Sequence, residues 1–391
     1  MKLGILLSRV PYPLEKGDKL RGFYQIKELS KNHEIYLCAL NVGKLHPNSI
    51  NELNEYCKKI KIIQLGRFSI LFRLLFSLFF SKLPLQLAYF FQKRSKKTIQ
   101  QFFLDNNVEH LYCQLIRVTE YVKNLHSIPK TLDYMDALSR GMERRISKSS
   151  VFIRPFIKLE TLRLKRYEHF IFDKFETKCI ISEQDQKLIV HGRNGEMKIV
   201  RNGVDLDFFK PMEQEKKYDL LFTGNMSYPP NIDGVTFLIE EIMPLVWEVN
   251  PSIKVAIVGA TPTNKVQRLA AEQVEITGWV DDIRTYYASA KVFIAPMQIG
   301  TGLQNKLLEA MAMKVACITS SLANNALNAE DEKNILIANE PEEYRDCILN
   351  LLNDEVKRNA IAEESLDFVR KNYNWKSTTR ELETLFLNVN R

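Results

Sequence analysis

Apolar residues along this chain fall alternately into short runs and into helical spacings. Lys2 to Leu7 is a compact apolar run, Leu20 to Leu29 carries apolar residues at helical intervals, and Glu34 to Leu40 returns to a run that predicts a strand. A strand-helix-strand opening of this kind predicts a parallel sheet, because such crossovers are right-handed. Further strands are predicted at Lys61 to Leu65, Glu109 to Cys113, Lys130 to Asp133, Lys178 to Ile181 and Lys198 to Val200. Between Asp133 and Lys178 the pattern predicts one long, charged helical region from about Leu138 to Phe170.

The alternation restarts after a polar stretch, Pro211 to Lys217, which reads as a joint. Strands are expected at Asp219 to Phe222, Lys254 to Val258, Val274 to Thr277, Lys291 to Ala295, Val315 to Thr319 and Asn334 to Ile337. Helices are expected at Asn231 to Val249, Thr263 to Ala271, Asp282 to Ala288 and Leu303 to Met313. A chain of 391 residues exceeds one comfortable core. The expected class is therefore α/β, with two doubly wound, Rossmann-like domains facing a central cleft. Residues 1–212 form the first, 213–374 the second, and 375–391 a C-terminal helix that packs back on the first.

Charge changes this picture by its distribution. Residues 1–200 hold 35 Lys+Arg against 19 Asp+Glu, whereas residues 201–391 hold 20 against 28. The basic half suits an anionic surface or substrate. Within it, Phe68 to Phe80 is almost wholly apolar, interrupted by Arg73, and is followed by Lys82, Pro84 and the basic run Lys93, Arg94, Lys96 and Lys97. Crossing a bilayer takes about 20 apolar residues, so this segment is too short. An aromatic face beside clustered cations instead predicts interfacial contact with an anionic membrane, through Phe72, Phe76, Phe79 and those four basic residues, with a buried core helix followed by exposed lysines as the alternative. No nucleic-acid-reading motif accompanies the positive charge, so nucleic acid is not an expected partner. The six cysteines form no C-x-x-C pair and sit in apolar runs, which predicts reduced core thiols in a cytoplasmic protein. The apolar run after Met1 is too short for a secretory signal.

The chemistry concentrates between Ile294 and Ala312, where a strand end, the Gly300-Thr301-Gly302 turn and a helix follow one another. Glycines admit a ligand close to the main chain, and a helix N-terminus favours an anion, so this stretch predicts a phosphate site. Lys306 and Glu309 are three apart and share a helix face, and an ordinary strand-turn-helix with a surface ion pair is the alternative. Gly17 ends the loop after the first strand, where doubly wound folds place ligands, and a plain loop glycine is the alternative. Asp281 and Asp282 stand at a predicted helix start, where capping accounts for them without a metal.

Together, Phe222 to Gly234, Gly278 to Ile283 and Gly300 to Ala312 resemble the retaining, metal-independent GT-B glycosyltransferases of bacterial exopolysaccharide type. Pro11 to Arg21 and Arg201 to Asp205 resemble that family's first loop and domain junction, so the likeness spans nearly the whole chain. The resemblance implies a nucleotide-sugar donor held mostly by the second domain. Gly17, Gly224 and Asn225 would approach it, Val280 would lie beside the base, and Thr301, Gly302, Leu303 and Gln304 would cradle the diphosphate. Glu309 would bind ribose hydroxyls, and Lys306 would stabilise the leaving diphosphate as a catalytic group. Where many relatives carry a histidine, this chain has Asp133 to Asp136, which makes Asp136 the second catalytic candidate, with helix capping as its plain alternative.

The expected function is hexose transfer from a nucleotide-sugar to a glycan or lipid-linked glycan, for cell-surface polysaccharide, on the inner face of the membrane. No cofactor and no metal are expected. A sugar-nucleotide epimerase and a non-catalytic nucleotide-sugar or membrane-binding module are the alternatives.

Overall fold

The structure is a computed structural model that describes residues 1–299 and 303–389. The chain divides into two compact units, Met1–Asn202 with Trp375–Arg391, and Gly203–Asn374. The polar stretch 211–217 thus lies inside the second unit.

The first unit is built on a seven-stranded sheet of β1 (Lys2–Leu7), β2 (Glu34–Val42), β3 (Lys59–Leu65), β4 (His110–Gln114), β5 (Lys130–Asp133), β6 (Thr177–Ile180) and β7 (Lys198–Ile199). Its order is β3-β2-β1-β4-β5-β6-β7, and every pairing is parallel. Parallel sheets are covered on both faces, which is why β1 and β2 read as continuous apolar runs rather than alternating ones. The Trp375–Val389 helix supplies Leu382, Leu385 and Phe386 to one of those faces, beside Leu3, Ile5 and Tyr112.

The second unit has six parallel strands, β8 (Tyr218–Thr223), β9 (Val255–Val258), β10 (Val274–Ile276), β11 (Ala290–Ala295), β12 (Ala316–Thr319) and β13 (Leu336–Ile337). Their order is β10-β9-β8-β11-β12-β13.

Of the helical regions that the apolar spacing predicts as continuous, one is broken and one is unbroken but widened by a π-turn. The region from Leu138 forms Leu138–Glu143, Arg145–Lys148 and Arg154–Phe172, with Pro155 in the first turn of the last helix. Asn231 to Val249 falls within Pro229–Phe237, a π-helical turn Leu238–Ile242 and Met243–Val249, with Pro244 in the first turn of the last piece. Proline lacks the N–H an interior position needs and clashes with the preceding turn, so helices start at it or widen before it.

The Arg67–Phe80 helix buries Ile70 and Ser77, but Phe68, Phe72, Phe76, Phe79 and Phe80 are all more than 60% exposed. Arg73 does not interrupt that face. It turns inward, where its guanidinium donates to the Ala88 and Tyr89 carbonyls and to Ser69 Oγ. Among the described residues no helix is long and apolar enough to cross a membrane.

Arg21 is fully buried at the centre of the first unit. Its Nε donates to Asp133 Oδ2 at 2.6 Å, and its remaining nitrogens reach Asn202 Oδ1 and the carbonyls of Val200 and Arg201. Tyr112 Oη also donates to Asp133, at 2.5 Å. One guanidinium therefore ties the first helix, the end of β5 and the end of the unit. Arg21→Met leaves the Asp133 carboxylate buried with Tyr112 but without its countercharge. The expected loss is about 3–5 kcal/mol, read from the urea midpoint of the first unit. An unchanged midpoint would contradict this placement of the pair.

Candidate functional site

Strand order in the second unit runs outward through β9 and β10 on one side of β8 and through β12 and β13 on the other side of β11. The loops after β8 and β11 therefore diverge, and a doubly wound sheet leaves its ligand crevice at such a point. Gly224 and Asn225 leave β8 there. Pro296 leaves β11, and Gln304 directly precedes the Asn305–Ala312 helix.

Lys306 is in the first turn of that helix and is buried. Its Nζ donates to Asn231 Oδ1 at 2.5 Å and lies 4.2 Å from the centroid of the Phe222 ring. Burial in these surroundings lowers its ammonium to about 7, against the opposing pull of the Glu309 carboxylate. Asn231 is itself oriented, its Nδ2 donating to the Asn225 carbonyl at 2.9 Å. An ammonium carries three donors, so the bond to Asn231 leaves capacity for ligand oxygens.

Close approach explains two glycines. At Gly224 (φ +153°) an added Cβ would stand 2.6 Å from Asn231 Nδ2 and 3.2 Å from Lys306 Nζ. At Gly259 (φ +148°) it would stand 1.8 Å from the Gly224 carbonyl oxygen. Gly259 N–H in turn donates to the Gly278 carbonyl at 3.1 Å. The loops after β8, β9 and β10 are thus laid against one another through backbone, with Val280 half-buried beyond Gly278 against the core.

Glu309 follows Lys306 on the same helix. Its Oε2 accepts from Tyr287 Oη at 2.9 Å, and Tyr287 is held by Thr223 Oγ1 at 2.8 Å. Burial pushes the Glu309 carboxyl upward, opposed by Tyr287 and Lys306. The cation and the carboxylate are both fixed before any ligand arrives.

The structure gathers Gly224, Asn225, Lys306 and Glu309 within one unit. Asn225 acts there partly as scaffold, because its Oδ1 accepts from Ser227 N, Ser227 Oγ and Thr261 Oγ1. Gln304 is the residue just before the helix, with extended backbone, and Leu303 packs against the core. Thr301 and Gly302 lie outside the described residues. Asp282 is committed to Arg284, accepting from its backbone N–H and its guanidinium.

Gly17 and Asp136 belong to the first unit. Gly17 is the first residue of the Gly17–Leu29 helix, and a Cβ there would meet nothing within 4 Å, so no steric need for glycine is present. Asp136 follows β5 and does not cap the next helix, whose preceding residue is Ala137 with no side-chain cap. That helix start is served by Glu168, whose Oε1 accepts from Ser139 N at 2.9 Å. The Asp136 carboxyl keeps open surface, yet the surrounding protein and then the Asp185 carboxylate push it upward, while Arg117 pulls the other way.

Sequence reasoning missed Asn231, Gly259 and Tyr287 as members of the site. Gly259 was findable, since it follows the apolar run Val255–Val258 just as Gly224 follows β8. Asn231 and Tyr287 carry no local signal, because their partners stand 75 and 22 residues away.

Residues 217–354 match the family model described as glycosyl transferases group 1. Across 96% of its length the chain is 23% identical to an uncharacterized 44.6 kDa protein in the cps region of Klebsiella pneumoniae, covering 97% of that protein. It is also 23% identical to an uncharacterized glycosyltransferase of Methanocaldococcus jannaschii, over 59% of this chain and 65% of that one. Among solved structures, Anabaena HepE in complex with UDP superposes with a TM-score of 0.71 at 13% identity, covering 98% of this chain and 99% of HepE. A sucrose-phosphate synthase from Thermosynechococcus elongatus gives 0.68 at 12% identity, over 100% and 99%. The match to glycosyl transferases group 1 thus falls within the second unit, and the chain as a whole has the GT-B fold.

Proposed function

We propose that this protein is a retaining, metal-independent glycosyltransferase of the hexosyl type. It moves a sugar from a nucleotide-sugar to a glycan or lipid-linked glycan acceptor in cell-surface polysaccharide synthesis. The observation that carries the reading is Lys306: a buried ammonium, aimed by Asn231, in the first turn of a helix and beside Gly224, whose missing Cβ leaves room for both side chains. HepE has been crystallised with UDP, with UDP and glucose, and with UDP-glucose, and UDP-sugars are the first donors to test here.

In this reading the diphosphate sits against the start of the Asn305–Ala312 helix, and Lys306 neutralises the charge that grows as the bond from the sugar's anomeric carbon to the diphosphate breaks. The acceptor hydroxyl attacks from the same face. Its oxygen bonds to the anomeric carbon and its proton passes to the departing diphosphate. Glu309, braced by Tyr287, accepts from the ribose hydroxyls. Val280 flanks the base, and backbone at Gly224, Thr301, Gly302, Leu303 and Gln304 completes the cradle, with Gly17 as a further donor contact. Asp136 is the proposed acceptor-side group of the first unit, its raised carboxyl suited to holding a proton near neutrality.

The protein works at the inner face of the membrane in this account. The exposed phenylalanines of the Arg67–Phe80 helix supply the apolar face, with Lys93, Arg94, Lys96 and Lys97 at the start of the Lys93–Asp105 helix. Phe152, Phe156 and Leu162 are also exposed. Arg163, one residue further on, donates to the Ser77 and Leu78 carbonyls of the Arg67–Phe80 helix.

Lys306→Ala should lower sugar transfer about 10²–10³-fold, measured as nucleotide release, with a near-native far-UV spectrum. Unchanged turnover would take Lys306 out of the site. Replacing Phe72, Phe76 and Phe79 with Ser should release the protein from vesicles containing anionic lipid in a flotation assay. Since these rings already face water, the melting temperature should hold. Retained flotation would remove the helix from the membrane contact.

A further inference from the structure

The first unit has its own point of strand reversal, between β1 and β4, and a cavity of about 980 Å³ opens beside it. Ser8 and Arg9, which directly follow β1, line it together with the end of β2 and with Arg117, which follows β4. The donor role proposed above uses none of these residues.

Three features give the cavity a chemistry. Five basic side chains line it against one carboxylate, Glu15. Of the five, Arg9 pairs with Asp18, while Arg117 is held by the neutral Gln86 Oε1 through Nε at 3.3 Å and Nη2 at 3.1 Å. Both guanidinium groups lie 5.5 Å from the Phe90 ring, so two like charges are kept around one aromatic side chain. Burial and then Arg9 pull the Arg117 guanidinium down, a cost that an arriving anion relieves. The second feature is Ser8, which is 2% exposed and whose Oγ has no hydrogen-bond partner. Buried hydroxyls are rarely left so, and this one lines the cavity. The third is the wall. Leu74 comes from the Arg67–Phe80 helix, whose outer side carries the exposed phenylalanines.

We propose that this cavity binds a phosphate ester borne on a lipid, with Ser8, Arg9, Lys19 and Arg117 receiving the phosphate oxygens and the lipid chain leaving past Leu74 along the apolar helix. The assignment of this ligand as the acceptor's anionic end rests on the transferase reading. The anion site itself does not.

Calorimetry on the full chain separates the two. Farnesyl diphosphate, inorganic pyrophosphate, farnesol and UDP serve as probes, against wild type, Ser8→Ala with Lys19→Gln, and Lys306→Ala. Farnesyl diphosphate should bind wild type at least tenfold more tightly than pyrophosphate, and farnesol should not bind. The Ser8→Ala, Lys19→Gln protein should lose tenfold or more for farnesyl diphosphate while keeping wild-type UDP affinity and melting temperature. Removing an unpartnered buried hydroxyl should not destabilise the fold, so the variant stays informative. Equal affinity for pyrophosphate and farnesyl diphosphate would overturn the lipid source in favour of a soluble phosphate. Binding that survives in this variant but fails in Lys306→Ala would overturn the site and assign the anion to the second unit, as would the absence of binding. Failure of wild type to bind UDP while it binds farnesyl diphosphate would sink the transferase reading and leave this site standing.

Discussion

A lysine buried beside an aromatic ring is costly to keep charged, and the second unit is organised around keeping one there. Lys306 rests over Phe222, takes a single amide oxygen from Asn231, and sits three residues before a carboxylate already engaged by Tyr287. With so little compensation its ammonium falls to about 7, near the point where it loses its proton. A diphosphate supplies the missing countercharge. Apolar surroundings that weaken the free ammonium also strengthen its attraction for such an anion, because little water competes.

The same constraint explains why the neighbouring backbone is glycine. Room for Asn231 and Lys306 exists because Gly224 has no Cβ, and the loop carrying Gly224 can lie where it does because Gly259 has none either. The strand order sets where all this happens. Each sheet reverses once, between β8 and β11 in the second unit and between β1 and β4 in the first. Divergent loops at those two points leave the recesses where a doubly wound sheet takes its ligands. One recess presents Lys306 and Glu309; the other presents Ser8, Arg9 and Arg117.

Much of this was legible in the sequence because parallel strands covered on both faces are uninterrupted apolar runs. β1 and β5 fall where those runs predict them, and so do the strand before Lys306 and the helix that carries it. Helix regularity was less legible, since Pro155 restarts a helix that apolar spacing carries through and a π-turn precedes Pro244 in one that stays continuous. The aromatic run Phe68 to Phe80 was legible in composition, but the exposure of Phe152 and Phe156 was hidden in a stretch that reads as charged. Least legible were contacts between distant residues. Arg21 looks like a loop-to-helix cation in sequence, and only the fold shows it buried against Asp133, 112 residues on. The orphan hydroxyl of Ser8 is likewise a property of packing and has no local signature.

The central claim is that Lys306 meets the diphosphate of a nucleotide-sugar, and the most direct test is the proton it must carry to do so. A free-state value near 7 leaves Lys306 largely neutral at pH 8, whereas an adjacent diphosphate restores it toward its ordinary value of 10.5. Binding should therefore take up close to one proton at pH 8, and affinity should fall as pH rises from about 7. Titrating UDP calorimetrically at pH 8, in buffers of different ionisation enthalpy, reads this uptake for wild type and for Lys306→Met. The account predicts uptake near one proton in wild type, with weaker binding and no uptake in the variant. Equal affinity without proton uptake in both would contradict it.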